Sequence, residues 1–328
     1  MLVTGPNGAG KTNLLESLHV GTQGFSPRTR SDAQLVRFGE AAGRVSVRGD
    51  RGDVPLELEV TIRVADGKRA KANGAPLRAA EQLRTEVATL VFTPDRLAVV
   101  KGAPAVRRAY FDRVAGRLWP ARATLAAEYG AAVAQRNAAL RRVAAGFSDR
   151  AALAPWTQRI AELGLALVES RTEAIALLAP SFADRAEELG LGDAGLAYDG
   201  EPPTVESLES RVERDLDRGS TGVGPHLHDV RLSSGARDLR TFGSQGEQRL
   251  TVLALLLAEA ELIAERRGYL PLLLLDDVLS ELDPTRRRAL AERVSTAGQT
   301  LVTSTTAAAL PIPPAQLLEV TPGEVRAA

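Results

Sequence analysis

The sequence predicts an α/β fold built on a nucleotide-binding loop, with an antiparallel β-layer and an inserted helical second domain. Three observations predict it. Gly5 to Thr12 read GPNGAGKT, which fits G-x-x-x-x-G-K-[ST] between a short apolar run and a helical pattern. Far downstream, Leu272 to Leu275 form an unbroken leucine run ending at Asp276 and Asp277, the pattern of a central strand buried on both faces. In between, residues 44–48 and 56–64 alternate polar and apolar with period two, and most of 101–218 reads as helix. The expected organisation is a nucleotide-binding domain in two pieces, 1–100 and 222–328, interrupted by a helical domain at 101–221.

Each element can be justified in order. In the first loop, glycines let backbone N–H groups turn inward around a polyphosphate, and the following helix points its positive end at the same anion. Gly5, Pro6, Asn7, Gly8, Ala9, Gly10, Lys11, Thr12 and Asn13 are the candidate nucleotide-binding residues. Lys11 is expected to reach the β- and γ-phosphates and the Thr12 hydroxyl to ligate Mg²⁺. Only four residues precede Gly5, fewer than the about 5 to 6 of a typical strand, so the chain reads as one whose first strands are missing. The loop from Gly21 to Asp32 contains Ser26, Pro27, Arg28, Thr29 and Arg30, and is open between contact with nucleotide or DNA and a solvated basic loop.

The alternating runs predict half-buried antiparallel strands, and Asn73 with Gly74 predicts a hairpin turn because both tolerate positive φ. Leu90 to Phe92 is a short buried strand. From Lys101 to Arg142 nine basic residues face two acidic ones, Asp112 and Glu128, on a helical pattern with Tyr110, Trp119 and Tyr129 interspersed. Lys101, Arg107, Arg108, Arg113 and Arg136 are the DNA-phosphate candidates, against the alternative of a solvated helix face. Trp156, Ile160, Leu163 and Leu167 form a helical core stripe. Asp184 to Arg218 reverses the charge, with eleven acids against four arginines, and reads as short helices and loops. Leu232 to Arg240 is a hairpin. Ser244, Gln245, Gly246, Glu247 and Gln248 then open a long apolar helix with the ingredients of an anion site. Gln299 to Thr305 is expected to be the last strand.

Composition limits the function classes. Formal net charge is zero, with 41 basic and 41 acidic residues, so any nucleic-acid surface must be local. No cysteine is present, which excludes disulfides, thiol catalysis and cysteine-ligated metals. Three histidines make a histidine-rich metal centre improbable on counting alone. No apolar run approaches the about 18 to 20 residues of a membrane span, and no basic-then-apolar leader opens the chain, so a cytoplasmic location is expected.

The order of phosphate loop, SQGEQR (Ser244 to Arg249), LLLLDD (Leu272 to Asp277) and SELD (Ser280 to Asp283) is that of ABC-type ATPases. Val91 to Leu97, Lys101 to Pro104 with Arg107, Arg108 and Asp112, Gln135 to Asn137, Gly224 to His226 and Gly243 to Arg249 together resemble the RecF family, over Leu2 to about Thr306. The resemblance implies a P-loop NTPase head of ABC/SMC-like type, lacking the family's N-terminal strands, that binds ATP and Mg²⁺. It also implies an ATP-dependent homodimer that binds double-stranded and gapped DNA and, with RecR and RecO, helps RecA load on single-stranded gaps. By position, Thr12 and Asp276 would ligate Mg²⁺, Lys11 and Asp277 would be catalytic with Asp277 orienting water, and Ser244 to Gln248 would complete the partner's site, Ser244 and Gly246 capping its γ-phosphate. Asp283 would lie at the dimer seam. Leu227, His228 and Asp229 depart from the family's usual Arg-Asp-Asp, and Thr303 and Ser304 stand where transporter ATPases carry a switch histidine, as fits a weak ATPase whose hydrolysis is a switch. The alternatives are a nucleotide-binding subunit of a membrane transporter, which would carry that histidine, and another SMC-like ATPase, which would need longer heptad arms.

Overall fold

The computed structural model describes residues 1–29, 31–51 and 53–328, apart from the side chain of Glu81. The loop contact expected at Arg30 and the turn position Gly52 therefore lie outside the described residues. In chain order the elements are β1 (Leu2–Thr4), α1 (Lys11–Gln23), β2 (Ala42–Arg51), β3 (Val54–Arg63), β4 (Gly67–Ala72), β5 (Ala75–Pro76) and β6 (Thr89–Phe92). The helices α2 (Pro104–Leu118), α3 (Leu125–Ala144) and α4 (Ala154–Glu188) follow, then β7 (Ala194–Asp199), β8 (Asp229–Ser234) and β9 (Arg237–Asp238). The chain ends with α5 (Gln245–Arg267), β10 (Leu272–Leu275), α6 (Pro284–Thr296), β11 (Thr300–Ser304), β12 (Leu317–Thr321) and β13 (Glu324–Ala327). Two compact units result: residues 1–96, 188–190 and 256–328 in one, 97–187 and 191–255 in the other. The second unit thus runs past position 221 and takes in the SQGEQR segment.

In the first unit, a sheet of order β13-β12-β1-β11-β10-β6 carries the phosphate loop. Although β1 has three residues, it is flanked on both sides: Leu2 pairs in parallel with Val302 of β11 and with Leu317 of β12. Both neighbours of β1 come from the C-terminal part of the chain. The Met1 ammonium donates to the Thr300 carbonyl at 2.8 Å. Val3, Leu15, Val91, Leu274, Leu301 and Val320 form the core here. The strands β12 and β13 correct the expectation that residues 299–305 form the last strand; their hairpin turns at Gly323, whose φ of 84° suits a residue without Cβ.

The antiparallel layer β2-β3-β4-β5 follows the alternating pattern. Leu58, Val60, Ile62 and Ala70 face inward against Val20 of α1 and Leu83, while Arg44, Glu57 and Glu59 face out. Asn73 (φ 48°) and Gly74 (φ 79°) make the β4-β5 turn as their chemistry predicts.

The second unit combines the three helices with the sheet β7-β8-β9. Tyr129 and Val133 of α3, Ile160, Leu163 and Leu167 of α4, and Leu208 form its helical core, so three of the four stripe residues are buried in it while Trp156 is half-buried. In the acidic stretch, expected to hold only short helices and loops, Ala194–Asp199 is instead a strand paired with β8, its half-buried Leu196 opposite buried Leu232.

The close approach of β12 to the phosphate loop yields a prediction. A Cβ on Gly5 would lie 2.3 Å from the Val320 carbonyl oxygen, whereas one on Gly8 (φ 80°) would meet nothing within 4 Å. Gly5→Ala should cost about 3 kcal/mol by forcing β12 outward, and Gly8→Ala about 1 kcal/mol of left-handed strain. Urea denaturation of both variants checks this ordering; equal losses would mean that β12 yields freely.

Candidate functional site

In the first unit, the C-terminal ends of the parallel strands β1, β10 and β11 bring their following residues together, the usual place for a ligand in such sheets. The cleft there has a volume of about 310 Å³ and is lined by Asn7, Gly8, Gly10, Lys11, Thr12, Asn13, Arg28, Asp276, Asp277, Thr303 and Thr305. That lies at the low end of the range for ligand pockets. Helix α1 opens into it with Gly10 as N-cap (φ 108°) and no side-chain cap, so its first N–H groups are left for an anion.

The charged groups are prearranged. The Lys11 ammonium donates to the Gly5 and Pro6 carbonyls at 2.7 and 3.0 Å, folded over the loop that it would share with a phosphate. The Thr12 hydroxyl donates to Asp276 at 2.9 and 3.1 Å. A hydroxyl and a carboxylate suit a hard cation such as Mg²⁺. Among the described residues no three His, Cys, Asp or Glu side chains converge as a metal site. A divalent cation held by this pair would take its remaining ligands from phosphate and water. Asp276 is buried, and Asp277 is exposed with φ 48°. Arg28 hydrogen-bonds Glu16 at 3.2 Å and Asn13 at 3.5 Å beside the same cleft, and Ser26 also donates to Glu16. Asp283 caps α6, accepting from the Arg286 N–H at 2.9 Å, and remains exposed.

In the second unit, the SQGEQR segment forms a capping box that its S-x-x-E spacing signals. Glu247 accepts from the Ser244 N–H at 2.8 Å, and the Ser244 hydroxyl accepts from the Glu247 N–H at 3.2 Å. That leaves the Ser244 O–H proton to donate outward from an exposed position, beside exposed Gln245 and half-buried Gly246. The Ser244 N–H, and then Arg237 at 2.8 Å, hold the Glu247 carboxyl below its usual range. Gln248 is buried and donates to the Leu239 and Gly243 carbonyls, fixing the turn that precedes the helix.

The DNA-phosphate candidates divide. Lys101 and Arg113 are exposed. Arg107 and Arg136 are not, and are withdrawn as surface contacts for that reason. Arg136 is 0% exposed, donating to Asp215 at 2.7 Å, Thr221 at 2.9 Å and Thr157 at 3.3 Å. Arg107 is buried and grips both Asp229 oxygens at 2.7 Å together with the Val100 and Gly102 carbonyls. Arg108 donates to the His228 carbonyl at 2.6 Å. Sequence reasoning missed Arg171, which binds both Asp112 oxygens at 2.7 and 2.9 Å and the Pro225 carbonyl at 2.7 Å. Four arginines thus clamp the segment 221–229 to the helices of this unit. Burial works to raise the Asp229 carboxyl, but bonds from Arg107 and the Val230 N–H outweigh it and hold it below its usual range.

The histidines of that segment are part of the same clamp. His226 Nε2 faces the Thr221 carbonyl at 3.1 Å, so it carries the proton, and Nδ1 accepts from the Tyr129 hydroxyl at 2.9 Å. Burial raises the Tyr129 pKa, keeping the phenol a donor. His228 Nδ1 lies 2.8 Å from the Tyr198 hydroxyl. Both imidazoles are pushed down, by burial first and by Arg108 and Arg171 nearby.

Comparison with known proteins places these features. The profile for the RecF/RecN/SMC N terminal domain matches residues 1–322. The DNA replication and repair protein RecF of Heliobacterium modesticaldum is 34% identical over 318 residues, covering 93% of this chain and 86% of that protein. The RecF of Anaeromyxobacter sp. strain Fw109-5 is 39% identical over 306 residues, covering 88% and 81%. Among solved structures, the recombination mediator protein RecF with ATP superposes with a TM-score of 0.87 at 26% identity, over 100% of this chain and 91% of that one. The Smc head domain of Pyrococcus furiosus, at 15% identity, 100% and 89% coverage and a TM-score of 0.56, shares the fold alone.

Two predictions follow from the clamp. Arg136→Met leaves Asp215 buried without its charge partner and should cost about 3 to 5 kcal/mol; urea denaturation should show most of this recovered when Asp215→Leu is added. The histidines give a pH dependence. With folded pKa values below the ordinary 6.5, the unfolded chain binds protons first, so stability is full above that value and falls as pH drops below it. The slope should reach at most about 1.4 kcal/mol per pH unit for each histidine. Thermal melts between pH 7.5 and 5 of the protein and of His226→Gln with His228→Gln check this; identical profiles would contradict it.

Proposed function

The chain belongs to the RecF family of DNA replication and repair proteins, and on that premise we propose that it is an ATP-dependent DNA-binding protein of recombinational repair. It binds ATP in the phosphate cleft, pairs with a second copy around two nucleotides, and engages double-stranded and gapped DNA in the cytoplasm. With RecR and RecO it helps RecA load on single-stranded gaps. The observation that carries the reading is the cleft itself: a capless helix N-terminus, Lys11, Thr12 and Asp276 converge on one space at the ends of the parallel strands. The likeness to a RecF structure with ATP supports it.

The residues divide the work by their chemistry. Lys11 exchanges the Gly5 and Pro6 carbonyls for phosphate oxygens. Thr12 and Asp276 already lie within hydrogen-bond distance, so little rearrangement is needed to share one cation. Mg²⁺ held there neutralises charge on the β- and γ-phosphates. Asp277, exposed in the cleft, orients the attacking water. The outward O–H of Ser244 and the positive end of α5 complete the site of a second copy, so that nucleotide binding becomes dimer stability. Hydrolysis is weak and acts as a switch. Exposed Lys101 and Arg113 carry phosphate contacts.

Sedimentation with Mg²⁺ and ATP tests the dimer, and duplex binding across a salt series tests the DNA surface. Wild type should dimerise and Ser244→Arg should stay monomeric; equal dimer fractions would refute the trans site. Lys101→Glu with Arg113→Glu should flatten the slope of log affinity against log salt by about 2. An unchanged slope would place the DNA surface elsewhere.

A further inference from the structure

Asp277 stands in a conformation that needs explaining. Its φ of 48° places it in the left-handed region, where a residue with a Cβ is disfavoured. Among the described residues only Asn73 and Asp193 share that property outside glycine. What holds Asp277 there is the side chain of Thr303, near the end of β11. Its hydroxyl oxygen accepts from the Asp277 N–H at 2.8 Å, and its proton goes to Asp276 Oδ1 at 2.8 Å. The directions are forced, because a backbone N–H can only donate and a carboxylate can only accept. Thr303 is 1% exposed, and its bond to Asp276 is buried from bulk water.

We propose that Thr303 is the positioning residue of the carboxylate pair, one hydroxyl setting the backbone of Asp277 and the orientation of Asp276 together. The proposal rests on the ATPase reading above. Parallel pairing of Leu275 with Val302 puts Thr303 one residue past the last β10-β11 partner, level with the start of the Asp276-Asp277 turn. Asp276 Oδ1 receives two hydroxyls, Thr303 at 2.8 Å and Thr12 at 3.1 Å, and Thr12 also reaches Oδ2 at 2.9 Å, so the carboxylate is held at both oxygens. Asp277, turned by its own N–H, then presents its side chain to the cleft. Only a side chain that accepts and donates at the same atom can do both. Serine can; valine, of nearly the same shape, can do neither.

The test compares Thr303→Val, Thr303→Ser and, as a second removal that leaves room for water, Thr303→Ala. Steady-state ATP turnover with Mg²⁺ and hydrogen exchange of the Asp277 amide are read on each. Thr303→Val and Thr303→Ala should lower kcat at least about tenfold with KM for ATP within about twofold, since Lys11 and the loop are untouched. The Asp277 amide should exchange at least about tenfold faster in both, and Thr303→Ser should restore turnover and protection together. Unchanged kcat in the valine variant, unchanged amide exchange, or losses in the serine variant equal to those in valine would overturn the assignment. Absence of any Mg²⁺-dependent ATP turnover or binding by the wild type would instead overturn the ATPase reading, and the role of Thr303 with it.

Discussion

Parallel pairing of β1 with strands from the far end of the chain is the constraint on which the cleft depends. A strand of three residues cannot hold itself flat, yet Leu2, Val3 and Thr4 are registered against Val302, Thr303 and Ser304 on one side and Leu317, Leu318 and Glu319 on the other. Because neighbouring parallel strands end at one edge, this register aligns the phosphate loop after β1 with Asp276 after β10 and Thr303 on β11. Thr12 then meets Asp276 although the two are 264 positions apart in the chain. The geometry of the cleft is therefore a property of strand register and not of the loop alone.

The second unit is organised by charge in its interior. Arg107, Arg136 and Arg171 are each at most 3% exposed, a costly place for a guanidinium unless every donor is matched. The matching is done by Asp229, Asp215 and Asp112 together with backbone carbonyls of the segments they fasten. Planar, forked guanidinium groups suit this work, since one side chain can bind a carboxylate with two donors and carbonyls with the rest. An arginine-rich helical stretch thus serves first as internal fastening, and the share left for a nucleic-acid surface is smaller than its count of basic residues suggests.

The burial of these arginines was legible in principle. Arg107, Phe111, Val114 and Leu118 fall at 4-3-4 spacing, as do Tyr129, Val133, Arg136 and Leu140, and Leu167, Arg171, Ala174 and Leu178. Each arginine occupies a core position of its helix. Counting charge along the chain hid what periodicity would have shown. The capping box at Ser244 and Glu247 is likewise written in the S-x-x-E spacing, since the same residues that suit an anion site also meet the helix's own need for a cap. The hairpin of β12 and β13 carries its own Pro-Gly turn signal at Pro322 and Gly323.

By itself the sequence determined the phosphate loop, the buried leucine strand with its two carboxylates, the alternating β-layer and the apolar stripe of α4, because each is encoded in residues adjacent or periodically spaced along the chain. It also determined the family resemblance, which rests on motif order. The tertiary structure alone decided which later strands flank β1, that Thr303 bonds to both members of the carboxylate pair, and that Arg107, Arg136 and Arg171 reach Asp229, Asp215 and Asp112. Those pairings join positions from 26 to more than 300 residues apart. Local propensity carries no record of them; strand register and the need to satisfy every buried charge select them only when the whole chain is folded.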